Sequence, residues 1–555
     1  MDRELKTVLQ VHPDDNVLVA LRDLQAGEHV RWDGKEWILP EPVPAKHKFN
    51  MFPLQAGDAV IMYGVKVGRA KADLPAGTRL SPQNVSHATG EVELRAGIRA
   101  RQWKAPDVSR WKDKVFYGYH RSDGRVGTAN HWIVVPMVFC ENRNLAVLKD
   151  AIREAWGYQK PKIYTRFARQ LAELYKTGHA LSEILSASFD TNAAYDPEKR
   201  LFPHVDGIQF LQHTGGCGGT RDDARALCGL LAGYITHPNV AGATVLSLGC
   251  QNAQISMLQE EIHRRDPHFN KPLIILEQQK MGLEQTMLAE AIRQTFAGLI
   301  KANEARREPA PLSKLCIGLE CGGSDGFSGI SANPAIGYTS DLLVALGGSV
   351  ILSEFPELCG VEQELCDRCV DESIARRFLE LMRAYQKRAE AVGSGFDMNP
   401  SPGNIRDGLI TDAMKSAGAA KKGGTSPVTD VIDYPEWVRK PGLNLLCTPG
   451  NDVESTTAEV AAGANIVLFT TGLGTPTGNP IAPVIKISSN TALFEKMPDI
   501  IDLNAGTIID GEETIEQAGA RILDYVIAVA SGEKLPAAVR NGQEDFIPWK
   551  RGVSL

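Results

Sequence analysis

Four cysteines of this chain recur in one kind of place, and the search for chemistry starts from them. Cys140 follows the apolar run IVVPMVF, Cys217 sits in HTGGCGGT, Cys250 ends VLSLGCQN and Cys321 lies in LECGGSDG. Each comes after a strand-like stretch and before a helix-like one. In parallel α/β sheets the carboxyl ends of the strands share one side, and ligands bind there. Four thiols in such loops could face one cleft, each near a helix N-terminus whose dipole and free N–H groups favour the metal-binding thiolate. Soft sulfur donors select iron–sulfur clusters, zinc or copper over magnesium or calcium. Three thiolates around a cluster whose open iron takes a substrate hydroxyl and carboxylate satisfy the pattern; so does a single ferrous ion with added oxygen and nitrogen ligands. Cys228, Cys316, Cys359 and Cys447 lack this context and read as core or surface thiols, and the lone Cys366-x-x-Cys369 pair has no partner pair for zinc.

The stretch 315–341 concentrates the polar groups. An apolar run, 315–319, leads into Glu320-Cys321-Gly322-Gly323-Ser324-Asp325, and Asn333-Pro334 opens a helical run that Gly347-Gly348 stops. Strand, glycine-rich loop, Pro at a helix start and Gly past its end describe a βα unit. Paired glycines let backbone N–H groups approach a ligand. Other turn clusters join it: Ser401 and Asn404 in NPSPGN, Asn451 in PGND, and Thr475 in TTGLGTP. Amides and hydroxyls in this number suit a small polyhydroxylated anion. Lys486 in PVIKIS could pair with its carboxylate or act as a base. Gly472-x-Gly474 has no third glycine opening a helix, which speaks against a dinucleotide fold.

These loops need a scaffold, and the chain is long enough for several domains. It has 555 residues, 43% hydrophobic and 23% charged, a net charge of −7 and a pI near 6.0. A mildly acidic balance without a basic stripe argues against nucleic acid or an anionic membrane as partner. The N-terminus lacks a basic segment followed by an apolar one, and no apolar run approaches the roughly 18 residues of a spanning helix. The expected location is therefore the cytoplasm, and ten cysteines in a reducing compartment read as thiols or metal ligands. Residues 1–95 carry short β-rich runs broken by turn signals, with three echoes of apolar-x-Ala-Gly in LRDLQAGEHV, FPLQAGDAV and ADLPAGTRL. They predict a small β domain with a recurring turn. Residues 96–115 read as a linker. From 116 onward strands alternate with helices, the signature of parallel α/β architecture, in two domains, 116–310 and 311–555. The first of these carries a helical insert near 155–203.

Taken in order, ECGGSDGFSGISANPAIGY, SEFPE, NPSPGN, GLGTPTGNPIAPVIKIS and DLNAGTI resemble the altronate dehydratase/galactarate dehydratase family, whose relatives include the large subunit of sulfolactate sulfo-lyase. HPDDNV, AKHKFNM and YGVKVGRA resemble the family's SAF-type β-clip domain, GYHRSDGRVGTAN the start of its catalytic part, and the four cysteine loops also match. The resemblance covers nearly the whole chain outside the insert. It implies elimination of water from a sugar acid to give a 2-keto-3-deoxy acid, with iron, as Fe2+ or a labile iron–sulfur cluster, or another divalent cation as cofactor. The family loop often reads Gly-Arg-Gly-Thr-Pro-Tyr-Gly, whereas Leu473 and Thr477 stand here for the Arg and the Tyr. That departure favours an aldonate such as D-altronate, giving 2-keto-3-deoxy-D-gluconate, over galactarate.

Such an elimination needs a base for a weakly acidic α-proton and a cation for the enediolate. The candidate acid–base residues are His213, His47, Lys48 and Lys486. Substrate contacts are expected from Asp15, Asn16, Ser324, Asp325, Asn333, Ser401, Asn404, Asn451 and Thr475, with Asp325 and Glu354 as alternative metal ligands or bases. The rival readings are carbon–sulfur elimination from sulfolactate, a nicotinamide oxidoreductase and a noncatalytic sugar-acid binder. The fused β-clip module favours the dehydratase. A small sugar acid is the expected partner, and homo-oligomerisation is left open.

Overall fold

The structure is a computed structural model and describes residues 6–94, 103–190 and 199–552. Its N-terminal part is made of short antiparallel strands because turns interrupt it every few residues. Val8–Leu9, Val17–Ala20 and Lys48–Asn50 form one sheet, and Ala59–Met62, Val65–Ala70 and Val85–Ser86 another. Asp33-Gly34 closes the His29–Trp32/Lys35–Ile38 hairpin with φ of 48° and 73°, a tight turn of the hand that suits twisted strands.

The echoed sequence is a recurring turn. Gly27, Gly57 and Gly77 have φ of 78°, 95° and 83°, each three residues after a buried leucine, Leu24, Leu54 or Leu74. The next amide in each copy, from Glu28, Asp58 or Thr78, bonds back to the carbonyl of Gln25, Gln55 or Pro75. A fourth copy, Val43-Pro44-Ala45-Lys46, escaped the sequence reading because it puts lysine where the others have glycine. Lys46 nonetheless has φ of 74°, and the His47 amide bonds back to Pro44 in the same way. For a lysine this backbone costs on the order of 1–3 kcal/mol, and the active site explains what offsets it.

The middle of the chain carries a four-stranded parallel sheet in the order Gly207–Phe210, His131–Pro136, Val240–Ser247, Leu273–Glu277. Its two inner strands are almost wholly buried, as strands covered on both faces must be. The insert is helical but divided, Ile163–Lys176 and Leu181–Leu185, with no buried residue in either helix. Gly178 separates them at φ of 80°, where a helix commonly ends on glycine. Residues 95–102, at the expected domain edge and linker, and residues 191–198 of the insert lie outside the described residues.

The C-terminal sheet has seven parallel strands in the order Val428–Asp433, Gly442–Cys447, Ser349–Leu352, Cys316–Cys321, Ile466–Thr471, Val484–Ser488, Leu503–Asn504. The first and last of these were not expected from the sequence. From Cys316–Cys321 the chain moves to one side of the sheet, then crosses back to Ile466–Thr471 on the other. Strand order therefore reverses beside Cys316–Cys321, and a crevice opens where loops part in opposite directions. The N-terminal domain covers this end, and one apolar core runs from Val60 and Val67 through Phe327 to Leu319 and Leu352. The chain is thus α/β with a small antiparallel β domain at its N-terminus, as the sequence predicts. Among the described residues no helix is long and apolar enough to cross a membrane.

Candidate active site

Two groups of buried side chains share the carboxyl edge of the seven-stranded sheet, and the loop after Cys316–Cys321 contributes to both. A Cβ on Gly322 would lie 1.9 Å from an Asp452 carboxylate oxygen and 2.7 Å from the Phe469 ring, so the loop passes there only as glycine. Gly323 then accepts the amides of Gly472 and Leu473 at 3.0 and 2.9 Å, fastening the loop to its neighbour. Asp325, fully buried, accepts hydrogen bonds from Ser489 Oγ (2.7 Å), Ser328 Oγ (2.9 Å) and Asn490 Nδ2 (3.1 Å). The Phe327 and Ser328 amides also donate to it, at 3.2 and 2.9 Å, and Lys46 Nζ pairs with it at 3.0 Å while lying 3.1 Å from Asp407.

That ion pair is what the strained turn buries. Lys46 is half-buried; burial opposes its charge, but Asp325 and Asp407 more than offset this and hold its pKa above the usual lysine value. Its carbonyl is pinched between Gly326 and Gly408, where a Cβ on either would come within 2.4 Å of it. Lys48 lies two residues on, at the start of the Lys48–Asn50 strand that follows the turn. It is wholly buried, donates to the Gly408 carbonyl at 2.8 Å, and burial draws its pKa down to about 7, Lys46 adding to the fall and Asp325 opposing it. Near neutrality a fraction of Lys48 is therefore a free amine, the form that can take a proton. His47 is half-buried, its Nδ1 3.3 Å from the Ala45 carbonyl, and burial lowers its pKa.

The second group surrounds Cys321. Its Sγ is 3.0 Å from Lys422 Nζ, 3.4 Å from Glu357 and 3.6 Å from Glu354. Lys422 donates to Glu354 at 2.6 Å and Lys415 to Glu357 at 2.5 Å. Glu354 reaches this place through a left-handed backbone, φ 61°. Asn399, from the NPSPGN loop, accepts from Lys415 at 3.1 Å. The donor atoms of Cys321, Glu354 and Glu357 lie within 4.8 Å of one another, all three residues buried. Neither Glu320 oxygen meets a donor, nor does one oxygen each of Glu354 and Glu459. Burial, then repulsion from Glu354, lifts Glu320 far above the carboxylate range. Burial also lifts Glu459 to about 8 and, with Glu354 and Glu357, Asp452 to about 7. Lys415 and Lys422 thus face more carboxyl groups than they can neutralise, and the surplus donors fit a divalent cation.

A stability slope follows from these two groups. Folding raises Glu459 from 4.5 to about 8 and Asp452 from 3.8 to about 7, so the folded state binds more protons than the unfolded state in those intervals. Their contribution is complete in acid and declines as pH rises, by about 1.4 kcal/mol per pH unit per group where the slope is full. Urea midpoints of chelator-treated protein between about pH 5 and 7, with Glu459→Gln as reference, should show wild type losing more stability on alkalinisation. Lys48, whose pKa is lowered, acts in the opposite sense only above about 7. Parallel slopes for the two proteins would contradict the reading.

The other expected residues divide. Asn404 caps its own short helix with Ser401 and donates to the Ser324 carbonyl at 2.7 Å, so these three lie together beside Asp325. Thr475 Oγ1 stands beside Gly323, 3.1 Å from where a Cβ would be. Asn333 is spent on structure, bonding Gly418 and Thr470, and Asn451 caps the Asp452–Ala462 helix. Asp15 accepts the amides of His12 and Gly64, and Asn16 bonds Ile61 and Ala59, so both pin turns inside the N-terminal domain. Both ring nitrogens of His213 are engaged: Nε2 donates to the Pro136 carbonyl at 2.6 Å, Nδ1 accepts from Gly215, and burial lowers its pKa to about 4. Lys486, drawn down to about 8 by burial, donates to Gln543 of the C-terminal segment.

The four thiols do not form one set. Cys321 is buried in the C-terminal sheet, whereas Cys140, Cys217 and Cys250 are exposed at the edge of the four-stranded sheet. Post-strand loops are equivalent in topology, but each sheet has its own carboxyl edge. The loops of the three exposed thiols do touch, through Phe139 N–H to Gly215 O and Ala253 N–H to Gly216 O, both 3.1 Å. The sequence reading passed over Lys46, Glu357, Asp407, Lys415 and Lys422; Lys46 had left a signal in the fourth turn copy, and Glu357 in SEFPE.

Three family profiles match in tandem: "Altronate/galactarate dehydratase SAF domain" over residues 6–88, "D-galactarate dehydratase/Altronate hydrolase, second domain" over 118–303, and "D-galactarate/Altronate dehydratase, C-terminal" over 312–554. The chain is 33% identical to an altronate dehydratase of Bacillus subtilis over 551 residues, 99% of this chain and 100% of that one. It is 33% identical to an altronate dehydratase of Escherichia coli, covering 99% of each chain, and 31% identical to the galactarate dehydratase (L-threo-forming) of Escherichia coli, covering 95% and 93%. With its three domains in the same order and its full length matched, this chain belongs to the altronate/galactarate dehydratase family of hydro-lyases.

Proposed function

We propose that this sugar-acid dehydratase acts on an aldonate, D-altronate first among them, and yields 2-keto-3-deoxy-D-gluconate. The observation that carries the choice is Leu473. Its amide is fastened to Gly323 and the residue is 39% exposed beside the Asp325 loop, at the position where the family loop often carries arginine. An arginine there can pair with a second carboxylate; a leucine cannot, and an aldonate has only one. The test is product formation under anaerobic conditions with ferrous iron and thiol, offering D-altronate, galactarate, glucarate and sulfolactate and following keto acid or sulfite. Turnover of altronate alone supports the reading, galactarate turnover overturns the specificity, and sulfite release favours the carbon–sulfur lyase. Leu473→Arg should raise kcat/KM for galactarate by roughly 10- to 100-fold, the worth of one charge-assisted hydrogen bond of about 1.5–3 kcal/mol.

In this reading Lys48, as the neutral amine, takes the α-proton. The enediolate that forms lies at an edge where Lys46 is held cationic by Asp325 and Asp407, Lys422 by Cys321 and Glu354, and Lys415 by Glu357 and Cys321. The β-hydroxyl departs as water with the proton Lys48 has gained, so one proton and one hydroxide leave together, and the enol tautomerises to the ketone. Asp325 holds Lys46 in place, and burial excludes competing water. Cys321, Glu354 and Glu357 would hold the divalent iron, a borderline ion for which one sulfur and two oxygen donors are apt. When bound, it supplies Lewis-acid polarisation of the substrate carboxylate. Cys140, Cys217 and Cys250 are the alternative home for iron, as a cluster; visible absorption of anaerobic protein separates the two. All ten cysteines are free, in keeping with action in the reducing cytoplasm.

A further inference from the structure

We propose that His87, Cys359 and Asp412 form a second divalent-cation site, of zinc type, that fastens the N-terminal domain to the C-terminal domain. Their donor atoms lie within 4.8 Å of one another. His87 directly follows the Val85–Ser86 strand of the N-terminal domain. Cys359 ends the turn Phe355–Leu358, and Asp412 opens the helix Asp412–Ala419. Asp412 carries the argument furthest: it is 1% exposed, and neither of its carboxylate oxygens has a hydrogen-bond partner. A buried carboxylate is costly without a strong donor, and what Asp412 has beside it is the weakly donating Cys359 thiol. Imidazole, thiolate and carboxylate together are a zinc-like donor set, and three protein ligands leave one position for water. His87 and Cys359 are each partly exposed, which gives an ion a way in.

The surroundings make this place a joint. Thr411 donates to the Val67 carbonyl of the N-terminal domain at 2.7 Å, and Thr89 packs against Gly360. The same two elements carry catalytic-site groups, since Glu357 is two residues before Cys359 and Lys415 one helical turn after Asp412. A cation here would fix the N-terminal domain over the site without touching substrate. The inference is independent of where iron binds.

The test uses the full chain, treated with chelator and then given Zn2+ or Co2+ alone, with thiol alkylation mapped peptide by peptide. The expected result is that Zn2+ protects Cys359 from alkylation in wild type and in Cys321→Ser, and that His87→Gln abolishes the protection. Cobalt should give a thiolate charge-transfer band that Cys321→Ser retains in part, and that Cys359→Ser reduces together with one bound equivalent. If Cys359 alkylates equally fast with and without Zn2+ in wild type, or if His87→Gln and Cys359→Ser bind as much cobalt as wild type, the proposal is overturned. The wild-type mapping needs no variant to fold. Failure at Cys359 with protection at Cys321 would leave the active-site reading intact, and the reverse pattern would leave this one.

Discussion

Lys48→Met lowers kcat by about 10²- to 10⁴-fold, the range for a positioned acid–base group, with a much smaller effect on KM. Methionine keeps the volume and apolar stem of the side chain, so a wholly buried position is not left with a cavity. What disappears is an amine that burial holds near pKa 7. Because the base must be neutral, wild-type kcat/KM rises with pH through about 7 and then levels. Lys48→Arg stays inactive at every pH, since a guanidinium does not deprotonate in this range. A variant with activity near wild type, or a profile that falls through pH 7, would move the base elsewhere; His47 is then the nearest alternative on the same segment.

Lys422→Met destabilises the metal-free protein by about 3–5 kcal/mol, the usual cost of removing one partner of a buried pair. Lys422 is 1% exposed and its ammonium bonds both Glu354 and Cys321. Without it, Glu354 faces Glu320 and Glu357 with no adjacent cation except Lys415, which is already bound to Glu357. Burial works against the Lys422 charge, but Cys321 and Glu354 hold its pKa well above the ordinary lysine value, so the charge is lost in full. The double variant Lys422→Met/Glu354→Gln should recover most of the loss, because the uncompensated carboxylate goes with it. Urea unfolding read by two probes checks this. A loss below about 1 kcal/mol, within the range of an exposed pair, would show the group to be solvated.

The fold was readable in the sequence because its elements are local. Val240–Ser247 is rich in apolar and β-branched residues and buried throughout, and the alternation of such runs with helical spacing fixes parallel α/β architecture. The site was only partly readable, for a reason seen in particular residues. Asp325, Ser324 and Asn404 announced themselves by turn chemistry, and turns are local. Lys415 and Lys422 sit on a helix and the turn after it with no pattern to distinguish them from surface lysines; only the tertiary fold brings them to Glu357 and Glu354. The thiols show the opposite error. Cys140, Cys217, Cys250 and Cys321 look alike in sequence, but two sheets separate the last from the others. Lys46 lay between these cases, visible once the Ala-Gly turn is read as four copies, the odd one kept for its ion pair with Asp325.

The most direct test of the account is iron-edge anomalous diffraction from anaerobically grown crystals of the full chain, soaked with a nonreactive D-altronate analogue. The expected result is an iron peak among Cys321, Glu354 and Glu357, with the analogue's α-carbon within reach of Lys48 Nζ. Iron confined to Cys140, Cys217 and Cys250, or an analogue bound away from Lys48, would contradict it.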